Sequence, residues 1–267
     1  MSWASQRRFF ILLIVGVVVV VFLTIVIISA IYKTPSCTDG VQNQNEAGID
    51  CGGSCSYLCA DRVHPPRVLF TKVLKNNNDR TDIIALIENK NTDAAAKNVP
   101  YRISLYGEGQ VFIREITGTV DLPPRTTKPI FLPGVVSGLP AQAGKQPIVS
   151  AFLEIAASAP HWFTLTVDPR IIPTVSRTTL VGTESNPRVE AILTNPSSSS
   201  IMNVHAIVFV YDANKNVIAA SATVVPVIQA QGQSIATFTW NNAFSGIPAS
   251  EEVVPIIPLP AGRQALP

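Results

Sequence analysis

The chain has 267 residues, 47% of them apolar and only 14% charged, with 21 Pro and 15 Gly. That length suits one large or two ordinary domains; the apolar share excludes a wholly disordered chain, and the low charge excludes a solvated tail-like one. A net charge of +2 leaves no basic footprint, so nucleic acid is not an expected partner, and three His leave little material for acid–base chemistry.

Residues Phe9 to Tyr32 carry no charge and almost no polar atom. As a helix the run spans roughly 36 Å, enough for a hydrocarbon core of about 30 Å with some tilt. In lipid a helix is the single-segment structure that satisfies its own backbone, so the many Val and Ile do not argue against it. A cleaved signal peptide would have an apolar core of about 7–15 residues and a small-x-small site. This run is longer, and Ile28-Ser29-Ala30 places a large residue at the minus-three position, which favours an uncleaved anchor. Trp3 and Tyr32 lie near the ends, where amphipathic rings favour headgroups, and Arg7 and Arg8 before the run outweigh Lys33 after it. The expectation is a single-pass protein of the cell membrane. Residues 1–8 are cytoplasmic, 9–32 form the transmembrane helix, and the rest is extracytoplasmic, with the lipid bilayer as the first partner.

All four cysteines, Cys37, Cys51, Cys55 and Cys59, fall in a neck over 33–63. An even, clustered count outside the membrane reads as two disulfides in a segment too small to hold itself by burial, with three pairings open. Zinc ligands usually come as two C-x2-4-C pairs, whereas Cys37 stands apart from a C-x3-C-x3-C run that matches no ferredoxin spacing either. Between the first two cysteines lie Asp39, Asn43, Asn45, Glu46 and Asp50, with Gly40 and Gly48 for tight turns. Such oxygens suit a calcium ion; they equally suit a polar turn with Asx caps. The EF-hand spacing is absent. No other cofactor is expected.

The run Cys37-Thr38-Asp39-Gly40, Asn43, Glu46, Gly48-Ile49-Asp50-Cys51-Gly52-Gly53, Cys55 resembles the C-x-D-G-x-x-N-x-x-E-x-G-x-D-C-G-G-x-C modules of many secreted and surface-anchored bacterial proteins. The resemblance implies an extracytoplasmic, disulfide-bonded spacer, calcium-loaded in one reading.

After the neck the chain repeats itself at a nearly constant offset of about 105 residues. Pro66-Arg67-Val68-Leu69 matches Pro169-Arg170-Ile171-Ile172, and Ala85-Leu86-Ile87-Glu88-Asn89 matches Ala191-Ile192-Leu193-Thr194-Asn195. Asn98-Val99 matches Asn203-Val204, Leu105-Tyr106 matches Val210-Tyr211, and Ser137-Gly138-Leu139-Pro140 matches Ser245-Gly246-Ile247-Pro248. Each copy is long enough to own a core. Val99, Tyr101, Ile103 and Leu105 alternate with Pro100, Arg102, Ser104 and Tyr106, and Val204, Ala206, Val208 and Val210 alternate with His205, Ile207, Phe209 and Tyr211, the period of a half-buried strand. Gly107-Glu108-Gly109 and Asp212 to Asn216 read as hairpin loops, Asn89 and Asn195 as turn residues, and Ser197 to Ser200 as a flexible loop. The expected fold class is all-β: an N-terminal transmembrane helix, a disulfide-rich neck, and two tandem antiparallel β-sandwiches over 64–168 and 169–258, with a disordered tail over 259–267.

Val208-Phe209-Val210-Tyr211-Asp212, and Ile103-Ser104-Leu105-Tyr106-Gly107 in the first copy, are similar to the small sandwich modules named for a Phe-x-Leu-Tyr-Asp signature. The resemblance implies Ig-like or fibronectin-like modules of a bacterial envelope protein, used as spacers or binding units without shared catalytic residues.

His64, His161 and His205 stand apart with no partner at metal spacing, and Glu251-Glu252 on a strand would point to opposite faces. No nucleophile elbow, H-E-x-x-H or phosphate-cradling loop occurs. Trp162 with Phe163, and Trp240 with Phe244, offer a glycan or peptide platform, although Phe238 and Trp240 sit two apart on one strand face and suit a core. The expected function is a membrane-anchored extracytoplasmic binding or scaffolding protein with no catalytic activity, whose partner is another envelope or surface protein or a glycan. The alternative is an accessory subunit of a cell-envelope complex of the secretion, pilus or wall machinery.

Overall fold

The structure, a computed structural model, describes residues 3–31, 36–43, 45–75, 81–135, 147–156 and 161–260. The chain divides into two compact units, one ending at Cys55 and one beginning at Ser56.

The first unit opens with helix α1 (Trp3–Ile31). It begins ahead of Phe9 because Gln6, Arg7 and Arg8 are themselves good helix formers. Within its segment Gln6–Ser29 an 18-residue window has a mean hydropathy of 3.6, and none of that window is buried. Such a helix is long and apolar enough to cross a membrane, a property shared by an anchor and a signal sequence. Its hydroxyls are satisfied internally: Thr24 Oγ1 donates to the Val20 carbonyl (2.7 Å) and Ser29 Oγ to that of Val26 (2.9 Å). The described residues between Ser36 and Cys55 form turns and bends with an isolated bridge between Gly48 and Cys51.

The second unit holds thirteen strands among the described residues, all paired antiparallel where they pair. The first seven are β1 (Arg67–Lys75), β2 (Thr81–Asn89), β3 (Ala94–Tyr106), β4 (Phe112–Leu122), β5 (Thr126–Val135), β6 (Ser150–Glu154) and β7 (Trp162–Thr164). They form two sheets, β1-β2-β5 and β4-β3-β6, with β7 also on β3. Ile83, Ala85 and Ile87 of β2 share a core with Val99, Tyr101, Ile103 and Leu105 of β3, the alternation expected from period two. The neck joins earlier than the expected boundary at His64. Leu58 donates its N–H to the Trp162 carbonyl (2.8 Å), and Leu58 and Val63 pack on that core.

The remaining strands are β8 (Thr174–Val181), β9 (Arg188–Thr194), β10 (Ile201–Tyr211), β11 (Val217–Ile228), β12 (Gln233–Thr239) and β13 (Ser250–Ile256). Their sheets, β8-β9-β12 and β11-β10-β13, repeat the strand order of the first pair. Val189, Ala191 and Leu193 face Val204, Ala206 and Val208 across a core that includes Phe238. Local devices repeat too. Asn98 and Asn203 take φ values of 52° and 50°, and the turn residues Arg125 and Gln231 take 52° and 51°. The buried side chains of Asn89 and Asn195 each donate from Nδ2 to three carbonyls, those of Ala94, Leu122 and Pro123 and those of Ser199, Ile228 and Gln229. The sequence reads both as turn residues; Asn89 is instead the last residue of β2 and Asn195 directly follows β9, and both are buried. The run Ser197 to Ser200, expected to be a flexible loop, is tied to Asn195 Oδ1 through the N–H and hydroxyl of Ser197. The repeat match at 137–140 lies outside the described residues.

The two sheet pairs do not stand apart. Phe70, Leu74, Ile84, Leu86 and Phe131, on the outer face of β1-β2-β5, pack against Ile207, Phe209, Tyr211, Val217, Ala220 and Val254 on the outer face of β11-β10-β13. The outward phase read for Ile207, Phe209 and Tyr211 therefore meets protein at this joint, and only His205 of that set is fully exposed. The joint is riveted at a second place. Arg170 makes a bidentate pair with Asp168 and donates from Nη1 to the Ile257 carbonyl (2.8 Å), and the Leu259 N–H donates to Asp121 Oδ2 on β4 (2.7 Å). Leu259 is buried, so the expected disordered tail is displaced from its first residue; 261–267 lie outside the described residues.

Candidate functional site

Two disulfides are present and no cysteine is free: Cys37 is bonded to Cys55, and Cys51 and Cys59 are bonded as well. Around the first bond the expected oxygen donors fold the loop. The Asp50 carboxylate accepts the N–H groups of Asp39 and Gly40, and Asp39 accepts those of Ser36 and Val41 and the Asn43 amide. Buried Glu46 accepts the N–H groups of Asn43 and Asp50 at Oε2 (3.2 Å each). Its Oε1 lies 3.0 Å from Cys55 Sγ, a disulfide sulfur with no proton to donate. Asn45 is exposed and takes φ 65° at a turn, away from this network. Among the described residues of this loop, Asn43 Oδ1 is a buried oxygen without a hydrogen-bond partner. Three carboxylates engaged by backbone donors favour the capped-turn reading of these residues. Cys37, Glu46 and Cys55 do converge as a ligand-like group, but metals take thiolates and both sulfurs are oxidised.

At the helix, the Arg7 guanidinium lies 5.3 Å from the centre of the Trp3 ring, a cation–π contact that keeps both on one side. Arg8 is exposed on the same turn; Tyr32 and Lys33 lie outside the described residues.

The three histidines do not converge. His64 is exposed with its backbone held by Asn91, His161 is exposed beside the Tyr57 ring, and His205 is exposed on β10. Glu251 accepts from the Thr178 hydroxyl and Glu252 from the Tyr211 hydroxyl, on the opposite faces expected of neighbours on a strand. Trp162 is buried in the first core, so no platform forms with Phe163. Trp240 packs on the second core, donates Nε1–H to the Ala220 carbonyl (3.2 Å) and meets Phe244 edge-on. These two rings line a cleft of about 530 Å³ with Lys75, Asp82 and Phe131.

A smaller cavity of about 360 Å³ is lined by Tyr101, Asp121, Lys128 and Ile257. Burial raises the Tyr101 phenol above its ordinary value. It also lowers Lys128 from 10.5 to about 8, with Arg170 adding to the effect and Asp121 and Asp168 opposing it.

The sequence missed an aromatic cluster on the outer face of β4-β3-β6. Tyr106 meets Phe112 and Phe152 edge-to-face, with ring centres 5.8 and 5.7 Å apart, and Phe112 and Phe152 are 55% and 57% exposed. Val111 and Val149 extend the apolar area. The usable signal was register: Phe112 pairs with Tyr106, and Phe152 with Ser104, which puts all three rings on one face.

No protein-family model matches the chain, and no curated protein matches it. Among solved structures it is similar to a red sea bream transglutaminase, at 12% identity over 75% of this chain and 32% of that one, with a TM-score of 0.22. It is also similar to a β-glucuronidase from glycoside hydrolase family 2, at 13% identity over 78% of this chain and 25% of that one, with a TM-score of 0.19. The chain thus spans about a third and a quarter of the proteins it is similar to, and likenesses this low carry no argument about fold or activity.

Proposed function

We propose that the chain is a membrane-anchored extracytoplasmic binding or scaffolding protein without catalytic activity. In this reading α1 is a signal anchor with its N-terminus in the cytoplasm, and the disulfide-bonded segment is a protease-resistant stem. The two sheet pairs are tandem Ig-like modules that meet another envelope or surface protein or a glycan. The observation that carries the reading is the apolar joint between the pairs. A joint of this kind holds a fixed spacing, which a presenting module needs and a string of loosely linked domains lacks. The repeated strand order supports descent of the two modules from one, and disulfides favour an oxidising location.

The test is an epitope tag at the C-terminus of the full chain in intact cells of its natural host. The tag should be accessible to antibody and removable by added protease while an N-terminal tag is protected. A protected C-terminal tag with an accessible N-terminal one would invert the topology and end the proposal.

A further inference from the structure

The covered and the free sheet faces can be compared position by position, because the two pairs share strand order and register. On the covered face of the second pair stand Ile207, Phe209 and Tyr211 of β10, with Ala220 opposite Phe209 and Val254 opposite Ile207. The same positions on the first pair are Arg102, Ser104 and Tyr106 of β3, with Glu115 opposite Ser104 and Glu154 opposite Arg102. The end near Tyr106 therefore keeps its apolar character, with Phe112, Phe152, Val111 and Val149 all exposed. The other end is charged: Arg102 is paired with Glu154 (2.9 Å) and Glu115 (4.0 Å). Among the described residues, Glu115 and Glu154 thus flank one guanidinium on this face, and Glu108 lies in the hairpin between β3 and β4.

The joint inside the chain shows what such a face takes. The sheet that docks on the second pair offers Phe70, Leu74, Ile84 and Phe131, and between Phe70 and Leu74 it carries Lys72 on the same face. Lys72 helps hold the carboxyl of Asp212 below the usual carboxylate range, behind the hydrogen bonds from Asn216 and Asn214. Apolar side chains interrupted by a cation thus meet an aromatic strand with acidic neighbours.

We propose that the outer face of β4-β3-β6 is a docking surface for a different protein, one that presents an extended segment or sheet face with apolar side chains interleaved by lysine or arginine. A second copy of the chain does not fit. Its β1-β2-β5 face is already covered, and its β8-β9-β12 face has Glu190 and Thr237 where the first pair has Ile84 and Phe131. Two aromatic faces set against each other would, among the described residues, place Glu115 and Glu154 of both copies around two arginines that each already pair with them. The edge-to-face rings offer no flat platform for a pyranose. The inference rests on the binding reading above, and its test uses purified protein, so that its failure is distinct from a failure of the topology experiment.

The probe is a photo-crosslinkable peptide with the sequence of residues 67–75, which presents Phe70, Lys72 and Leu74, added to the full chain in detergent micelles. Crosslinks should map to β3, β4 and β6, fall at least tenfold in a chain carrying Phe112→Ser and Phe152→Ser, and return with Phe112→Leu and Phe152→Leu. A peptide with Glu in place of both lysines should crosslink at least tenfold less. Circular dichroism and thermal midpoint establish that the variants are folded. Crosslinks elsewhere, equal capture of the acidic peptide, or no loss in the serine variants would each overturn the proposal. So would self-association of the chain, read by light scattering, that disappears in the serine variants.

Discussion

Lys128 occupies an inward register position on β5, opposite Ile87 of β2, and is 8% exposed. Taking an ammonium out of water is costly, and here the cost shows as a pKa near 8. Because that value lies below the unfolded one of 10.5, the folded state binds fewer protons over the window between them. Stability from this group therefore rises as pH climbs from about 8 to about 10.5, and its full cost is present below pH 8. Lys128→Met should be more stable than the wild type at pH 7 by up to about 3 kcal/mol, with the advantage shrinking across that window in denaturant unfolding. A pH-independent difference would mean that the ammonium is not desolvated. Single residues were the scale at which the sequence was least legible. Nothing in the sequence sets Lys128 apart from the other basic residues, and Asn89 and Asn195 read only as turn formers, because burial and two of the three carbonyls each amide reaches depend on segments distant in the chain.

At the scale of elements the sequence was more informative. Period-two alternation located β3 and β10 closely, since every second side chain must meet the opposite sheet. The loop at Asp212 was also legible: its carboxylate accepts the N–H groups of Asn214 and Asn216, the local closure for which aspartate suits a hairpin turn. The disulfide segment depends on a tighter constraint. Gly53 takes φ +59°, and a Cβ there would stand 1.8 Å from the Asn45 carbonyl oxygen, so the turn admits no side chain. Gly53→Ala should prevent closure around Cys37 and Cys55. Thiol labelling without reductant should then find free thiols in the variant and none in the wild type; a fully oxidised, protease-resistant variant would refute this account. Of the candidate oxygen donors, Asp39, Asn43, Glu46 and Asp50 share one hydrogen-bond network, yet spacing could not say whether they faced an ion or backbone N–H groups, because both need the same oxygens.

For the second unit as a whole, the joint between sheet pairs decides the behaviour. Phe209 is fully buried there, although it lies on the far side of its sheet from the core of its own pair. Phe209→Ala should cost about 3–5 kcal/mol and uncouple the pairs. In calorimetry of the full chain, one transition for the sheet pairs should become two; a single, merely lowered transition would show that they are held together elsewhere, for instance through Arg170 and Leu259. By itself the sequence determined what is local or periodic: an apolar helix, oxidisable cysteines in one segment, and strands in a repeated order, since these follow from chemistry carried by neighbouring residues. Only the tertiary structure decided which outward faces are covered, that Leu259 is buried, and where three aromatic rings meet in the open. An apolar side chain on the outer side of a strand has the same identity in water as against another sheet, and what it faces is set by residues far away along the chain.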